Sequence, residues 1–486
     1  MFVVPALLAA VGLLVLLAPA VASVLCGFVI AVQMLGLALR FWSTGQAVPV
    51  PAARAGVKAS PIFTVHVATH NEPPELVIAT LRALAAQDWP ATDFEVIVID
   101  NNTADPALWL PVSDACEAMG PHIRFMHRDG VRGAKAGALN IALTEARSDA
   151  THVVTVDADY VVWSQFLRQA ATAPGLTGAD YVQFPQAYVG SAGVADGVDA
   201  ELAEYFLTSA RRADIAEAVL LTGTLCVISI AALRAVGGWS GRTITEDADL
   251  GVRLCRDGFT GRFIGQVVGR GVLPFSLSDL ARQRHRWASG NLQTLRAHAP
   301  ALLSWNTGMS LHRRAAVISQ LTAWLNLSLL PVAALLFGLA SGQGGRTLLI
   351  LAGLSVWLTL ADIAVRLLGQ GCRAQTPLPV RAAAICHRLA LAPVAACATL
   401  EALCGRSLGF TVTNKSGATR TRELPTAGLL LFGAAFLSLP AALPQGWVVT
   451  GAVLALLLPL PAGLITARAL ETYRRHVTTP LTGATP

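Results

Sequence analysis

The sequence predicts an α/β domain inserted between α-helical transmembrane segments. Of the 486 residues, 54% are apolar and 14% are charged, whereas soluble domains have roughly 45–50% apolar and about 25% charged residues. The excess of apolar residues lies towards the two ends of the chain, and the middle has the composition of a soluble domain. In the middle, strand-like and helix-like patterns alternate, which is typical of a largely parallel sheet covered by helices.

The N-terminal 42 residues are almost uninterruptedly apolar, about twice the length that one membrane span needs. Pro19 lies near the middle of this stretch, so we expect two transmembrane helices joined by a tight turn within residues 1–45. Leu25-Cys26 is a weak match to a lipoprotein cleavage site. No basic region precedes it, so the helices are interpreted as retained.

The α/β domain is predicted over residues 55–305, ending in an interfacial helix. The expected elements are strands at 62–69, 94–99 and 152–156 and helices at 73–87 and 133–146. The second and third strands end at Asp100 and Asp157. Acidic residues at the carboxyl ends of such strands lie where open α/β sheets bind ligands.

Apolar segments return after His312, and the basic residues between them indicate the orientation. Arg346 is the only charge between the first two segments, whereas the stretch 370–424 is strongly basic. By the positive-inside rule, the α/β domain, this basic stretch and the tail lie in the cytosol. The expected order is two transmembrane helices over 312–370, an interfacial helix and loop over 371–424, two transmembrane helices over 425–470 and a tail over 471–486.

Segment 381–404 allows two interpretations. It is apolar enough for a short span, but it contains Arg381, His387, Arg388 and Glu401, which favour an amphipathic helix on the membrane surface. The net charge of +6 does not indicate nucleic-acid binding, because the basic residues cluster beside the apolar segments.

Four short signatures follow one another across the α/β domain. They are Asp100 in IDNNT, Asp157-Ala158-Asp159, Thr245-Glu246-Asp247 and Gln283-Arg284-His285-Arg286-Trp287. Two carboxylates at i and i+2 suit Mg²⁺ or Mn²⁺, which would neutralise a nucleotide diphosphate. Asp247 is a candidate general base for the proton of an acceptor hydroxyl.

The last signature predicts one functional face of a helix. Gln283, Arg286 and Trp287 fall at i, i+3 and i+4. They would offer an amide and a guanidinium to a leaving diphosphate and an indole to a sugar ring. Lys135, in RGAKAGALN, would add a point charge.

Each signature also has an ordinary structural interpretation. Asp-x-Asp is common on surface turns, Thr245-Glu246-Asp247 suits the first turn of a helix, and Asp100 suits an Asx-turn. An Arg-rich helix beside a membrane is usually a solvated surface. The occurrence of all four in this order, within an insert between membrane segments, favours a single site.

The D…DxD…TED…QxxRW series resembles the family 2 inverting glycosyltransferases, specifically the processive membrane-bound synthases related to bacterial cellulose synthase. The wording VATHNEPPELV, VIDNNTADPALW, KAGALN and ITEDADLG looks most like bacterial β-glucan synthases. The resemblance is strong over residues 60–300 and weaker elsewhere. It implies a GT-A fold, a UDP-sugar donor, a divalent cation (Mg²⁺ or Mn²⁺) and a glycan passed through a channel in the same chain.

The resemblance implies a role for each matching residue. It implies donor binding by Thr69, Glu72, Asp100, Lys135, Asp157, Gln283 and Arg286, metal binding by Asp159 and Asp157, catalysis by Asp247, acceptor binding by Trp287, Thr222, Gly223 and Glu246, and a gating loop containing Phe410, Thr413 and Lys415. Two departures stand out. His70 replaces a usual Tyr, and Thr222-Gly223-Thr224 replaces a Cys-Gly-Ser/Thr pattern, which weakens the assignment of cellulose as the product.

The resulting hypothesis is a processive enzyme of the bacterial inner membrane that transfers glucose from UDP-glucose to a growing, exported β-glucan. Its expected partners are the donor, the polysaccharide, membrane lipid and accessory or periplasmic export subunits, but no nucleic acid. One alternative is a non-processive transferase with a lipid acceptor. Another is a transporter with a nucleotide-binding domain, which is disfavoured because the predicted spans contain almost no ionisable residue apart from Asp362.

Overall fold

The computed structural model describes residues 3–42, 60–172, 179–189, 196–304, 308–369, 376–405 and 426–483. The α/β domain is built on a seven-stranded sheet with the order β3-β2-β1-β4-β7-β6-β8. The strands are β1 (Phe63–Thr69), β2 (Phe94–Asn101), β3 (Ile123–Arg128), β4 (His152–Thr155), β6 (Tyr181–Gln183), β7 (Cys226–Ser229) and β8 (Gly261–Phe263), and a second sheet pairs β5 (Val161–Val162) with β9 (Gly269–Arg270).

The first four strands of the order are parallel, which brings their carboxyl ends to one edge. Every residue of β2 is buried, which explains its continuous apolar run, because helices cover both faces of the sheet. β7 runs antiparallel to both β4 and β6. The sheet is therefore mixed, and the prediction of an α/β fold is confirmed with this one reversal.

Helices cover the sheet and lead the chain towards the membrane. They are α3 (Pro74–Ala85), α4 (Pro106–Met119), α5 (Ala134–Glu145), α6 (Phe166–Thr172), α7 (Asp196–Glu204), a π-helix (Tyr205–Ala210), α8 (Arg211–Ile215), α9 (Ile230–Ala235), α10 (Glu246–Arg256) and α11 (Leu277–Leu303). The N-terminus of α11 is capped by Ser276, whose hydroxyl oxygen accepts a hydrogen bond from the Asp279 backbone N–H at 3.1 Å. This cap fixes the start of the helix that carries QRHRW.

The remaining helices form the apolar part of the molecule. They are α1 (Val3–Leu17), α2 (Pro19–Trp42), α12 (Leu311–Leu321), α13 (Leu329–Ser341), α14 (Gly345–Leu368), α15 (Leu378–Leu403), α16 (Thr426–Ala442), α17 (Trp447–Ala455) and α18 (Pro459–Gly483). Five helical segments within the described ranges are long and apolar enough to cross a membrane. A shared apolar core joins α1, α2, α13, α14, α16 and α17.

Helix α15 links the two parts of the molecule. Its length and composition suit a membrane span, and it also packs along α11 and α7 of the α/β domain. His387 and Arg388 are buried within it. Two of the four residues that favoured an interfacial helix in the sequence therefore lie inside the protein, whereas Arg381 and Glu401 are partly exposed.

Candidate active site

A cavity of about 410 Å³ lies at the carboxyl ends of β1 and β4. The predicted site residues that the structure describes all line this one cavity, with the exception of Asp100. They are Thr69, Glu72, Lys135, Asp157, Asp159, Thr222, Gly223, Glu246, Asp247, Gln283, Arg286 and Trp287. Side chains separated by more than 200 positions in the chain are thus brought to a single site, as expected for an edge where parallel strands end.

Asp100 lies behind the wall of this cavity. It is 3% exposed, and its carboxylate accepts hydrogen bonds from the hydroxyls of Thr69 at 3.0 Å and Thr103 at 2.7 Å. Nδ1 of His127 lies 2.8 Å from the other carboxylate oxygen. The strand register explains this, because Asp100 is paired with Thr69 on one side and His127 on the other. Asp100 thus supports Thr69, and direct donor binding by Asp100 stays a prediction.

Lys135 projects from a tight turn at the start of α5. Gly133 and Ala134 both have positive φ, at 85° and 50°. This conformation is uncommon for alanine, and residues that adopt it cluster at functional sites. The Lys135 Nζ donates hydrogen bonds to the Asp157 carboxylate and, at 2.9 Å, to the Gly223 carbonyl oxygen. Burial alone would lower the pKa of Lys135, but the neighbouring carboxylates of Asp157, Glu246 and Asp247 hold it above its ordinary value.

Asp157 and Asp159 supply a donor set that fits a divalent cation. Both line the cavity, and the Asp157 backbone N–H donates to Thr224 Oγ1 at 3.0 Å, which fixes the turn. In the described part of the chain, no group of three His, Cys, Asp or Glu side chains is placed to hold a metal ion. Two carboxylates are nonetheless sufficient for Mg²⁺ or Mn²⁺, which retain water and phosphate oxygens as further ligands.

Asp247 stands in the first turn of α10 and opens to the cavity. Burial raises its pKa to about 7, and the adjacent Glu246 carboxylate adds to this, while Lys135 and Arg286 oppose it. A carboxylate with a pKa near neutrality is suited to accept a proton at neutral pH. Thr245, at the N-cap position, forms no side-chain cap, which argues against helix capping as the main role of this signature.

One end of the cavity holds a pair of indoles. Trp287 of α11 and Trp324, between α12 and α13, both line the cavity, and their ring centroids lie 5.2 Å apart with an angle of 38° between the planes. Tyr205 stacks on Trp324 at 6.0 Å. Trp324 was not predicted as a site residue, because it lies in an apolar segment that was interpreted as a membrane span. In the sequence, only the presence of a tryptophan in that segment could have indicated it.

A second cavity of about 620 Å³ meets the first at Trp324, which lines both. Its walls come mainly from apolar side chains of the membrane helices, among them Leu25, Phe28, Leu37 and Leu330. The site therefore borders an apolar space at the level of the membrane helices.

Comparison with known proteins agrees with this geometry. Residues 64–235 match the family described as Glycosyl transferase family 2, and residues 152–363 match Glycosyl transferase family group 2. Together the two matches include the DxD, TED and QxxRW signatures. These matches place residues 64–363 of the chain among the family 2 glycosyltransferases.

The curated relatives that this chain matches include synthases of two polysaccharides. It is 30% identical over 277 residues to a cellulose synthase catalytic subunit (UDP-forming) of Xanthomonas axonopodis pv. citri, which is 55% of this chain and 36% of that protein. It is 26% identical over 253 residues to glucomannan 4-beta-mannosyltransferase 1 of Oryza sativa subsp. japonica, which is 50% of this chain and 48% of that protein. The chain thus matches half or less of the length of each relative, and the predicted cellulose-synthase-like resemblance is confirmed.

A solved structure supports the fold of this glycosyltransferase. The mannosyltransferase of Pyrobaculum calidifontis, determined with GDP-Man and Mn²⁺, superposes with a TM-score of 0.51 over 82% of this chain and 100% of its own. The sequence identity is 18%, so the likeness concerns the fold. The expectation of a GT-A domain combined with membrane helices is confirmed.

The gating-loop residues predicted for this glycosyltransferase, Phe410, Thr413 and Lys415, lie outside the described residues. Helix α15 precedes them in the chain, and the C-terminal end of α15 contacts α11. His285 Nε2 lies 2.8 Å from Glu401 Oε2, and Arg296 donates to the Ala402 carbonyl oxygen at 2.7 Å. Their role in gating stays a prediction.

Proposed function

We propose that the chain is an inverting, processive hexosyltransferase that transfers glucose from UDP-glucose to the end of a growing β-glucan. The observation that carries this proposal is the single cavity that contains the Asp157–Asp159 pair, Asp247 and the Gln283, Arg286 and Trp287 face of α11. Few other functions need two carboxylates for a diphosphate, a separate carboxylate base and an indole platform in one space.

In the proposed reaction, the acceptor hydroxyl oxygen forms a bond to the anomeric carbon of the donor sugar. The bond between that carbon and the diphosphate oxygen breaks, and UDP leaves with the electron pair. Asp247 takes the hydroxyl proton, and attack from the face opposite the leaving group inverts the anomeric centre. Arg286 and Gln283 would stabilise the charge that develops on the diphosphate, and Trp287 would hold the acceptor sugar ring.

Asp159 and Asp157 would hold a divalent cation in this reaction. When bound, Mg²⁺ or Mn²⁺ compensates the charge of the leaving diphosphate. Lys135 contacts one oxygen of Asp157, so this lysine would orient the carboxylate as well as contribute positive charge. The P. calidifontis mannosyltransferase was solved with Mn²⁺, which supports a divalent cation as the cofactor.

The choice of donor rests on the cellulose synthase relatives, whose names specify UDP formation. Glucomannan mannosyltransferases match over a similar length, so a mannosyl donor is the main competitor. Thr222 and Gly223 line the proposed acceptor side, and the departure of Thr222-Gly223-Thr224 from the Cys-Gly-Ser/Thr pattern favours a β-glucan other than cellulose.

The proposed location is the bacterial inner membrane, with the GT-A domain in the cytosol, where nucleotide sugars are made. The apolar helices on both sides of the domain support membrane insertion. The distribution of Lys and Arg in the sequence supports the orientation. Export of the glucan would then proceed along the membrane helices.

Purified protein in lipid, incubated with labelled UDP-glucose or GDP-mannose, tests the proposal. We expect UDP release with incorporation of glucose into a polymer, which linkage-specific glucanases then identify. Preference for GDP-mannose would overturn the donor. Binding of UDP-glucose without any release of UDP would overturn the enzyme and favour a transporter.

A second candidate function is transfer of a single sugar to a lipid acceptor. The apolar cavity that meets the active site at Trp324 favours it, because a hydrocarbon chain suits such a lining better than a hydroxylated glycan does. The same incubation separates the two functions. Label in a solvent-extractable lipid carrying one sugar supports the lipid acceptor, and label in an insoluble or glucanase-sensitive polymer supports the polysaccharide.

A further inference from the structure

Four buried charged side chains join the catalytic domain to the membrane helices, and we call them the acceptor-side cluster. Glu201 and Glu204 lie on α7, Arg284 lies on α11, and Arg388 lies on α15. Both glutamates are fully buried, and Arg284 and Arg388 are 2% and 8% exposed. None of the four was predicted as a site residue, although Arg284 lies within QRHRW.

The contacts within the cluster form a chain. The Arg284 guanidinium donates to Glu201 Oε2 at 2.5 Å. Arg388 places one nitrogen 3.0 Å from Glu201 Oε1 and donates with the other to Glu204 Oε2 at 2.9 Å. Arg388 therefore bridges both glutamates with its two terminal nitrogens, a geometry that lysine cannot reproduce with a single ammonium group.

The same guanidiniums lie against the indole pair of the active site. The central carbon of Arg284 is 4.0 Å from the ring centroid of Trp324 and 5.7 Å from that of Trp287. The central carbon of Arg388 is 4.7 Å from the Trp324 centroid. These are cation–π distances, so the orientation of both indoles is coupled to the ion pairs behind them.

We infer that the acceptor-side cluster positions Trp287 and Trp324, and that Glu201, Arg284 and Arg388 thereby control transfer to the acceptor without contributing to donor binding. The inference rests on the transferase activity proposed above. It makes these three charges positioning residues, since they act through the indoles.

The alternative is that the cluster only fastens α15 to the α/β domain. A buried ion cluster is weak evidence for stability, because well-packed apolar residues usually stabilise a protein as well or better. Apolar residues would lack the directional contacts that fix two guanidiniums against an indole. Burial alone would raise the pKa of Glu201, but Arg284 and Arg388 hold it below its ordinary value, so the carboxylate is ionised and these contacts persist at neutral pH.

The test compares transfer of sugar to acceptor with hydrolysis of the donor by water, measured on the same full-length protein in lipid. Arg388→Lys keeps the charge and loses the two-pronged contact. We expect its ratio of transfer to hydrolysis to fall by more than about tenfold, since small displacements of substrate-positioning groups cost this much or more, with hydrolysis and UDP binding unchanged. Arg381→Lys is the matched control, because Arg381 lies on the same helix and donates to the Thr376 carbonyl oxygen. Its ratio should equal that of the wild type.

A double variant separates positioning from stability. Arg388→Met alone leaves excess negative charge buried and is expected to lower the melting temperature. Glu201→Gln with Arg388→Met removes one charge of each sign, so the melting temperature should recover towards the wild-type value. Transfer should stay low, because Arg284 has lost the carboxylate that orients it.

If the double variant recovers both sugar transfer and the melting temperature, the inference is overturned, and the cluster only fastens α15 to the α/β domain. Equal ratios for Arg388→Lys and Arg381→Lys in an active enzyme would also overturn it. If the wild-type protein neither hydrolyses UDP-hexose nor transfers its sugar, the proposed function is refuted instead. The two failures are therefore distinguishable.

Discussion

Lys135 and Asp157 form an ion pair at the centre of the site, and the same ammonium group donates to the Gly223 carbonyl oxygen at 2.9 Å. One side chain thereby connects the turn before α5, the DxD turn after β4 and the loop that contains Gly223. The ammonium orients the carboxylate proposed for the donor and cation, and it also holds the backbone beside Asp247.

Replacement of this lysine should therefore weaken donor use. For Lys135→Met we expect kcat/KM for the UDP-sugar to fall by about 10- to 100-fold, the range for loss of a hydrogen bond to a charged group. Steady-state kinetics of UDP release measure this. Arg168→Met is a suitable control, since Arg168 forms an exposed pair with Asp88 and neither residue lines the cavity. An equal loss in both variants would contradict a specific role for Lys135.

Asp247→Asn should abolish most of the turnover while preserving the fold. Asparagine is close in size and suits the start of a helix nearly as well, but its amide cannot accept the proton. We expect turnover to fall at least about 100-fold, within the range for removal of a general base, with UDP binding retained. Near-normal turnover would assign the base to another group.

The raised pKa of Asp247 predicts the acid side of the pH profile. Because the base must be ionised, kcat/KM should be constant well above pH 7 and should decrease as the pH falls through about 7. A base with an ordinary aspartate pKa would keep its activity down to about pH 4–5. The residual turnover of Asp247→Asn should not decrease in this way as the pH falls. The same decrease in that variant would show that a different group titrates.

Gly223 should not tolerate a side chain. Its φ is +80°, and a Cβ atom there would lie 3.0 Å from Asp247 Oδ2 and 3.3 Å from Lys135 Nζ. We expect Gly223→Ala to lower transfer by more than about tenfold, because it displaces both groups. Gly130→Ala is the matched control, since Gly130 has φ +70° and open space around its Cβ position. Both variants carry a similar backbone cost, so equal activities would contradict the steric explanation.

Removal of the proposed cation ligands should affect binding as well as catalysis. Asp159→Ala, or excess EDTA with the wild type, should weaken UDP binding measured by calorimetry and prevent transfer, because the diphosphate charge is left uncompensated. Adding Mg²⁺ or Mn²⁺ back should restore the chelated wild type and not the variant. Full UDP binding and transfer in EDTA would refute the cation assignment.

The sequence predicted those parts of the structure that depend on local pattern. Strand β2 contains an unbroken apolar run at 96–99, and β1 alternates apolar residues with Thr64 and His66. The acidic residues Asp100 and Asp157 lie at one edge because parallel strands end together. The spacing of Gln283, Arg286 and Trp287 was sufficient to place all three on one helix face, and all three line the cavity.

The features that were missed depend on contacts between distant segments. β3, with the sequence IRFMHR, carries too many polar residues to be recognised as a strand. The reversal of β7 and the placement of Asp100 behind Thr69 follow from sheet register, which single segments do not encode. Glu201 and Arg388 are 187 positions apart, and each alone resembles an ordinary charge on a helix surface.

The π-helix at Tyr205–Ala210 makes the end of the cavity that holds the indoles sensitive to the number of residues as well as their types. A π-helix of this kind accommodates one residue more than an α-helix would over the same length, and deleting that residue would rotate the two flanking helices against each other by about 100°. Glu201 and Glu204 could then not face α15 at the same time as Tyr205 stacks on Trp324. Homologues with a one-residue gap at this place should therefore have lost both features together, and those without the gap should have kept both.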